Sequence, residues 1–320
     1  MNGTHEQAFR AAVLAALGHA PALIDAGRLH RFATTDRPGD SAGWCKLFAD
    51  RRGGVYGCHR AAVSETWIAD GRTSLSSAQR ADLAREIATA TAERQAEQRQ
   101  QWARNAERIR AMWSQCLPLS PIDPAALYLL RRGFGGDWPM PTTLRLHPAL
   151  PYWHGTAKLG LFPALVAPMV AADDRMLALH RTYLTPDGCK AAVPCPKKLT
   201  GAGGPLSGAC IPLHRPARGT IGIAEGIETA LAACCASGVP TVASYCAGNL
   251  AAWQWPLSVR RLVVFADADK AGREAADTLR TRAQLAGLRV EVLAPTEPDT
   301  DWCDVWAGRD AALIEARGST

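Results

Sequence analysis

At 320 residues, 48% of them hydrophobic and 21% charged, the chain has room for two domains with cores and is too apolar to be disordered. Its longest apolar stretch, residues 159–172, is broken by Pro163 and Pro168 and falls short of the roughly 18 residues a spanning helix needs, so no membrane partner is expected. The net charge of +6 is uneven: residues 1–218 carry 27 Lys and Arg against 17 Asp and Glu, and residues 219–308 carry 7 against 11. A basic part joined to an acidic part suits a protein that grips a polyanion with one and holds cations with the other, although differing surface solubility would leave the same pattern. Glu6 and the lack of a basic leader argue against a signal peptide, and the ten cysteines show no regular pairing. Reduced thiols and a cytoplasmic location are the expectation.

Residues 1–70 read as a small domain: helical spacing over 5–17, then a region from Trp44 to Trp67 rich in Gly and Trp that suits one or two β-hairpins. Ser76 and Gln79 have the spacing of a capping box and open a run to about Cys116 without Gly or Pro. The run predicts a helix about 60 Å long. Its sparse apolar positions suggest a solvated spacer over residues 71–118, which Pro118, Pro121 and Pro124 close. Residues 119–218 read as an α+β region with strands over 161–170 and 176–184, followed by a basic, glycine-rich loop system over 186–208.

Residues 219–308 alternate short apolar runs with helical segments: TIGIAEG, ETALAACCASG, VPTVAS, GNLAAWQW, RRLVVFADAD, AGREAADTLRTRAQLAG and RVEVLAP. The fold class predicted here is α/β, a parallel sheet flanked by helices on both faces, with residues 309–320 as a tail. Ligands of such a sheet bind beyond the carboxyl ends of its strands. The first strand ends in Glu225-Gly226 and the third in Asp267-Ala268-Asp269; Asp299, Asp301 and Asp304 follow the last. Alternate residues of an extended chain point the same way, so Asp267 and Asp269 should face one point. A lone Asp at a strand end is commonly a helix N-cap. Three acidic clusters at one edge are better explained by a hard cation, Mg²⁺ or Mn²⁺, between them.

EGIETALA, FADADKAGREAA and DTDWCDVW together resemble the Toprim domain of primase-like proteins carried by plasmids, phages and integrated elements. The last segment is similar to a KDWND-type motif, with Thr300 in place of the Lys and Cys303 in place of the Asn. The resemblance implies that Glu225, Asp267 and Asp269 are catalytic and hold metal, with Asp301 and Asp304 near a second ion. It also implies that Gly226 lets substrate backbone approach. Glu228 reads equally as a first-turn acid of its helix. More loosely, LHRTYLTPDGCKAAVPCPKKLTG resembles the segment before Toprim in DnaG-type primases, which ends in a PKYLNS-like stretch. That implies nucleotide or template binding by Lys197, with Lys198, Lys190 and Arg181 beside it; a solvated basic loop is the plain alternative. Arg131, Arg132 and Arg145 are further template candidates.

Cys45, Cys58 and His59 do not make up a four-ligand zinc ribbon, so no zinc is expected. The N-terminal region still resembles that of conjugative-element primases. A template surface of Arg51, Arg52, Lys46, Trp44 and Tyr56 follows as an expectation. His180, Cys234 and Cys235 read as packed residues without a role. The function implied is a two-metal primase making short RNA primers on single-stranded DNA from nucleoside triphosphates for a mobile element. A Toprim nuclease and a non-catalytic strand-binding accessory are the alternatives. No G-x-x-x-x-G-K-[ST] occurs, so a separate helicase is the expected partner.

Overall fold

The computed structural model describes residues 2–36, 40–58, 61, 63–69, 77–134 and 140–308. Ser76, which the expected capping box needs, His59, and the tail over 309–320 lie outside what is described. The chain divides into two compact units, residues 1–100 with 154–157, and residues 101–153 with 158–320. Among the described residues no helix is long and apolar enough to cross a membrane.

The first unit holds α1 (Asn2–Leu17) and a four-stranded antiparallel sheet in sequential order, β1 (Leu29–Phe32), β2 (Gly43–Leu47), β3 (Gly53–Cys58) and β4 (Val63–Ile68). Phe9 and Val13 of α1 pack on Cys45, Leu47 and Tyr56. Burial pushes the Cys45 thiol up to about 12, so it stays neutral in this core. Three of the five residues expected to form a template surface are taken up by the core, while Arg51 is half-buried and Arg52 exposed. Trp44 and Tyr56 are buried, Arg94 lies 4.3 Å over the Trp44 ring, and the Tyr56 hydroxyl donates to Glu65 at 2.6 Å. Lys46, also buried, is paired with Glu93 at 2.5 Å. Rings packed into a core cannot stack on bases.

Helix α2 (Ser77–Ser114) matches the predicted length but is no bare spacer. Within the first unit Ala90 packs with Trp44, Phe48 and Val55, and within the second Ile109 is buried against Tyr152, Val166 and Leu179. A few apolar side chains at each end are enough to hold an otherwise polar helix.

The second unit combines two sheets. In the five-stranded one, β5 (Leu117–Pro118), β6 (Arg145–His154), β7 (Ala157–Val170), β8 (Met176–Tyr183) and β9 (Lys197–Leu199) are neighbours in that order. Strand β7 alternates: Ala164 and Val166 face the α2 end, while Leu165, Ala167 and Met169 join α3 (Pro124–Arg131) and α4 (Ile227–Ser237) in one core. The other sheet is parallel, in the order β11 (Thr241–Ala243), β10 (Thr220–Ala224), β12 (Arg261–Phe265), β13 (Arg289–Leu293). Its helices lie on both faces, as predicted. Ile221, Ile223, Leu262 and Val264 meet α5 (Ala247–Ala252) and α6 (Lys270–Leu285), while Ala224, Val263 and Phe265 meet α4 and a final helix over 302–308. Gly238, at φ 68°, ends α4 in the left-handed conformation that costs glycine least.

Gly222 lies in the middle of β10, where a Cβ would come within 2.5 Å of Thr241 Oγ1 and 2.8 Å of the Phe265 ring. Gly222→Ala should destabilise the protein by about 1–3 kcal/mol through overpacking, measured by denaturant unfolding; an unchanged midpoint would contradict this packing.

Candidate active site

Strands β10 and β12 pair in parallel with Ala224 opposite Phe265, so Glu225, one residue on, and Asp267, two residues on, emerge at the same edge of the sheet. The turn after β11 secures this end: Ser244 N–H donates to the Ala224 carbonyl and Tyr245 N–H to that of Glu225. On the other side Ala268 N–H donates to the Thr300 carbonyl and Asp299 N–H to that of Ala268, laying the last loop along the Asp267–Asp269 segment. Helix α6 closes on it from behind. A Cβ on Gly272 would lie 2.8 Å from the Asp267 carbonyl oxygen.

Asp267 is the most perturbed acid of the group. Burial, and then Glu225, Asp301, Asp269 and Asp304, raise its carboxyl from the ordinary 3.8 to about 7. Its Oδ1 is buried and accepts no hydrogen bond. Burial and Asp269 also raise Glu225. Among the described residues no three metal-ligating side chains close into a cage. The donor set fits Mg²⁺, which keeps several waters and is held by one or two carboxylates. A buried carboxylate oxygen with no donor, ringed by acids, is stabilised most directly by a cation.

The remaining acids have structural duties as well. Asp269 caps α6, its Oδ1 accepting from Gly272 N–H at 2.7 Å. Asp301 and Asp304 form a reciprocal capping box at the start of the 302–308 helix: Asp301 Oδ1 accepts from Cys303 and Asp304 N–H, and Asp304 Oδ2 from Asp301 N–H. Asp301 Oδ2 accepts from the Thr229 hydroxyl at 3.3 Å. Trp302 meets Phe265 edge-on, Cys303 is buried, and Trp306 donates to the Gly133 carbonyl. These three side chains anchor the helix whose capping acids border the site.

The predicted basic residues do not all converge. Residues 197–199 are a strand, not loop, and successive side chains leave opposite faces of it. Lys197 pairs with the Glu228 carboxylate, 2.9 Å from Oε1 and 3.0 Å from Oε2. Lys198 lies on the other face, 4.0 Å over the Tyr152 ring and bonded to the Trp153 carbonyl. Arg181, opposite Lys198 in the β8–β9 register, donates to the Tyr183 hydroxyl and the Leu199 carbonyl. Lys190 belongs with Lys197: burial, then Lys197, lower its pKa, and Arg132 adds to this. Gly226 precedes α4 at φ −90°, which any residue adopts; an added Cβ there would press on Thr229 Oγ1 at 3.1 Å.

Glu228 is buried and has more than a helix-end duty. Its Oε1 accepts from the Tyr128 hydroxyl at 2.5 Å. Burial would raise this carboxyl, but Lys197 and Tyr128 hold it down to about 2. Sequence reading missed Tyr128, Thr229 and Gly272. Tyr128 lies 100 residues from its partner, but Gly272, three residues after Asp269 inside a helical run, was a visible signal of close approach.

Residues 220–311 match a family model described as Toprim domain, and residues 103–211 match one described as Domain of unknown function (DUF7146). The parallel sheet is thus a Toprim domain, and Toprim domains generally bind Mg²⁺. No curated protein matches the chain in sequence. Among solved structures, a DnaG primase catalytic domain bound to ssDNA is 15% identical, with TM-score 0.43 over 69% of this chain and 81% of that one. The zinc-binding and RNA polymerase domains of the Aquifex aeolicus primase are 13% identical, with TM-score 0.38 over 98% and 84%. A DNA primase domain from Pseudomonas aeruginosa is 14% identical, with TM-score 0.33 over 52% of this chain, which spans only 55% of that domain's length.

Two variants probe the site. With its pKa raised from 3.8 to about 7, Asp267 favours the folded state when protonated, so in chelator its contribution is present at low pH and lost as pH rises through about 7. Asp267→Asn should remove that part of the slope and exceed the parent in stability above about pH 8 by on the order of 1–2 kcal/mol, allowing for partial exposure, as measured by unfolding across pH. Gly272→Ala should lose about 1–2 kcal/mol in the same measurement, although alanine favours helix by about 1 kcal/mol, because the Cβ displaces Asp267.

Proposed function

We propose that the chain is a primase-type nucleotidyltransferase that joins ribonucleotides into short RNA primers on single-stranded DNA. The observation that carries this reading is the crowding of Glu225, Asp269 and Asp301 around a partly buried Asp267 at the sheet edge, where burial first and then these acids raise its carboxyl to about 7. Acids crowded where water is partly excluded suit a site built for divalent cations. Glu225, Asp267, Asp269 and Asp301 would hold two Mg²⁺ or Mn²⁺ ions, with Asp304 at the margin. Such ions, when bound, activate a primer 3′-hydroxyl and stabilise the leaving pyrophosphate.

The chain's own residues do the rest. Glu225, itself raised and half-buried, is placed to accept the hydroxyl proton. Lys197, with Lys190 beside it, faces the incoming nucleotide's phosphates. Lys198 of β9 and Arg181 opposite it on β8, on the other face of the sheet, serve the template backbone. The excess of Lys and Arg over residues 1–218 supports contact with a polyanionic strand. Service to a mobile element rests on the likeness of EGIETALA and DTDWCDVW to such proteins. Strand unwinding is assigned to a partner helicase.

The test is a gel assay with single-stranded DNA, labelled nucleoside triphosphates and Mg²⁺ or Mn²⁺. The parent should make new short oligomers; the double variant Asp267→Asn, Asp269→Asn, which keeps an N-cap on α6, should lose them by a factor of about 100 or more. Shortened template without new oligomers would move the assignment to a nuclease. Strand binding alone, unaffected by the substitutions, would move it to an accessory factor.

A further inference from the structure

Lys197 is not a lysine left to wander in solvent. Its ammonium has three N–H donors, and both Glu228 oxygens lie within 3.0 Å of it. The carboxylate is itself fixed, because Glu228 is buried on α4 and accepts the Tyr128 hydroxyl from α3. With two donors spent on Glu228, the third is fixed in direction, and the Lys197 side chain is 39% exposed, so that donor has access to a ligand. Two other cations act on these groups: Arg132, one helical turn after Tyr128 at the C-cap of α3, and Lys190. Arg132 has a buried Nε with no acceptor. Burial opposes its charge, but Cys303, Tyr128, Glu228 and Asp301 hold it more firmly protonated than usual. Lys190 lies in the field of both Lys197 and Arg132. Three cations and one buried carboxylate leave the cluster positive, beside the acids of the sheet edge.

We propose that Glu228 is a positioning residue: with Tyr128 it fixes the Lys197 ammonium so that Lys197, Arg132 and Lys190 together receive a polyphosphate. The natural ligand, the triphosphate of an incoming nucleotide, follows from the nucleotidyltransferase reading; the anion site itself does not depend on it. The competing account is an ion pair that only stabilises the fold. The two differ in sign. If Glu228 merely neutralises Lys197, deleting its charge adds a positive charge to the cluster and tightens anion binding. If it positions Lys197, binding weakens in spite of that charge.

The measurement is isothermal titration of the full chain with inorganic tripolyphosphate, in chelator at constant ionic strength. Glu228→Gln should weaken binding by about fivefold or more, and Tyr128→Phe, which changes no charge, by about two- to threefold. In primer synthesis the same variants should raise KM for nucleotide several-fold with kcat within about twofold, the pattern of lost ground-state binding. Thermal melting by circular dichroism verifies folding; should Glu228→Gln not fold, Tyr128→Phe decides alone. Unchanged or tighter tripolyphosphate binding in the folded variants, or no binding by the parent, would overturn the proposal. The expected binding series in a chain that makes no primers would uphold it while the primase reading fell.

Discussion

Two neighbouring parallel strands that end at one edge set the terms for the rest of the Toprim domain. Because β10 and β12 run side by side with Ala224 opposite Phe265, the acids just past their ends, Glu225 and Asp267, share one sheet edge, where Glu225 acts on the Asp267 carboxyl. Like charges at close range, partly removed from water, resist ionisation together, and Asp267 bears most of that strain. Everything nearby is arranged to hold it. Turns on either side are tied down by backbone hydrogen bonds, and α6 and the 302–308 helix begin at Asp269 and Asp301, so backbone N–H groups take up part of the negative charge.

The α+β region ahead of the Toprim domain contributes by packing on α4 through one face of β7, which brings α3 and β9 to the start of that helix. Tyr128, Lys197 and Glu228 come from three separate elements, and their meeting depends on that shared core. Acidic and basic clusters therefore sit at opposite ends of one short helical turn, Glu225 just before α4 and Glu228 inside it. Under the proposed function, a site with both signs of charge so close would take a metal-bound polyphosphate as a single object.

Much of this was open to inspection in the sequence. The alternation of apolar runs and helical segments over 219–308 shows the parallel sheet directly, because β10 and β12 are continuous apolar runs and α4 and α6 are each closed by a glycine, Gly238 and Gly287. The acids were readable for the same reason: strand ends in such a sheet are where ligands bind. What stayed hidden depends on period and distance. Lys197 and Lys198 are adjacent in sequence, but a strand sends them to opposite faces, and PKKLTG looked like loop. Trp44 and Tyr56 suggested a stacking surface because aromatic residues serve cores and nucleic acids equally well, and only the packing of α1 and α2 decides between them. The Tyr128–Glu228 contact spans 100 residues and leaves no local pattern.

The caps at Asp269 and Asp301 also bear on how such a domain would change over generations. At either position an alanine removes charge and helix start together, whereas asparagine removes the charge and caps nearly as well. A lineage released from catalysis could therefore drift from Asp to Asn there without unfolding. Under the proposed function, asparagine at these sites in a descendant would mark a chain that had given up catalysis and kept its fold.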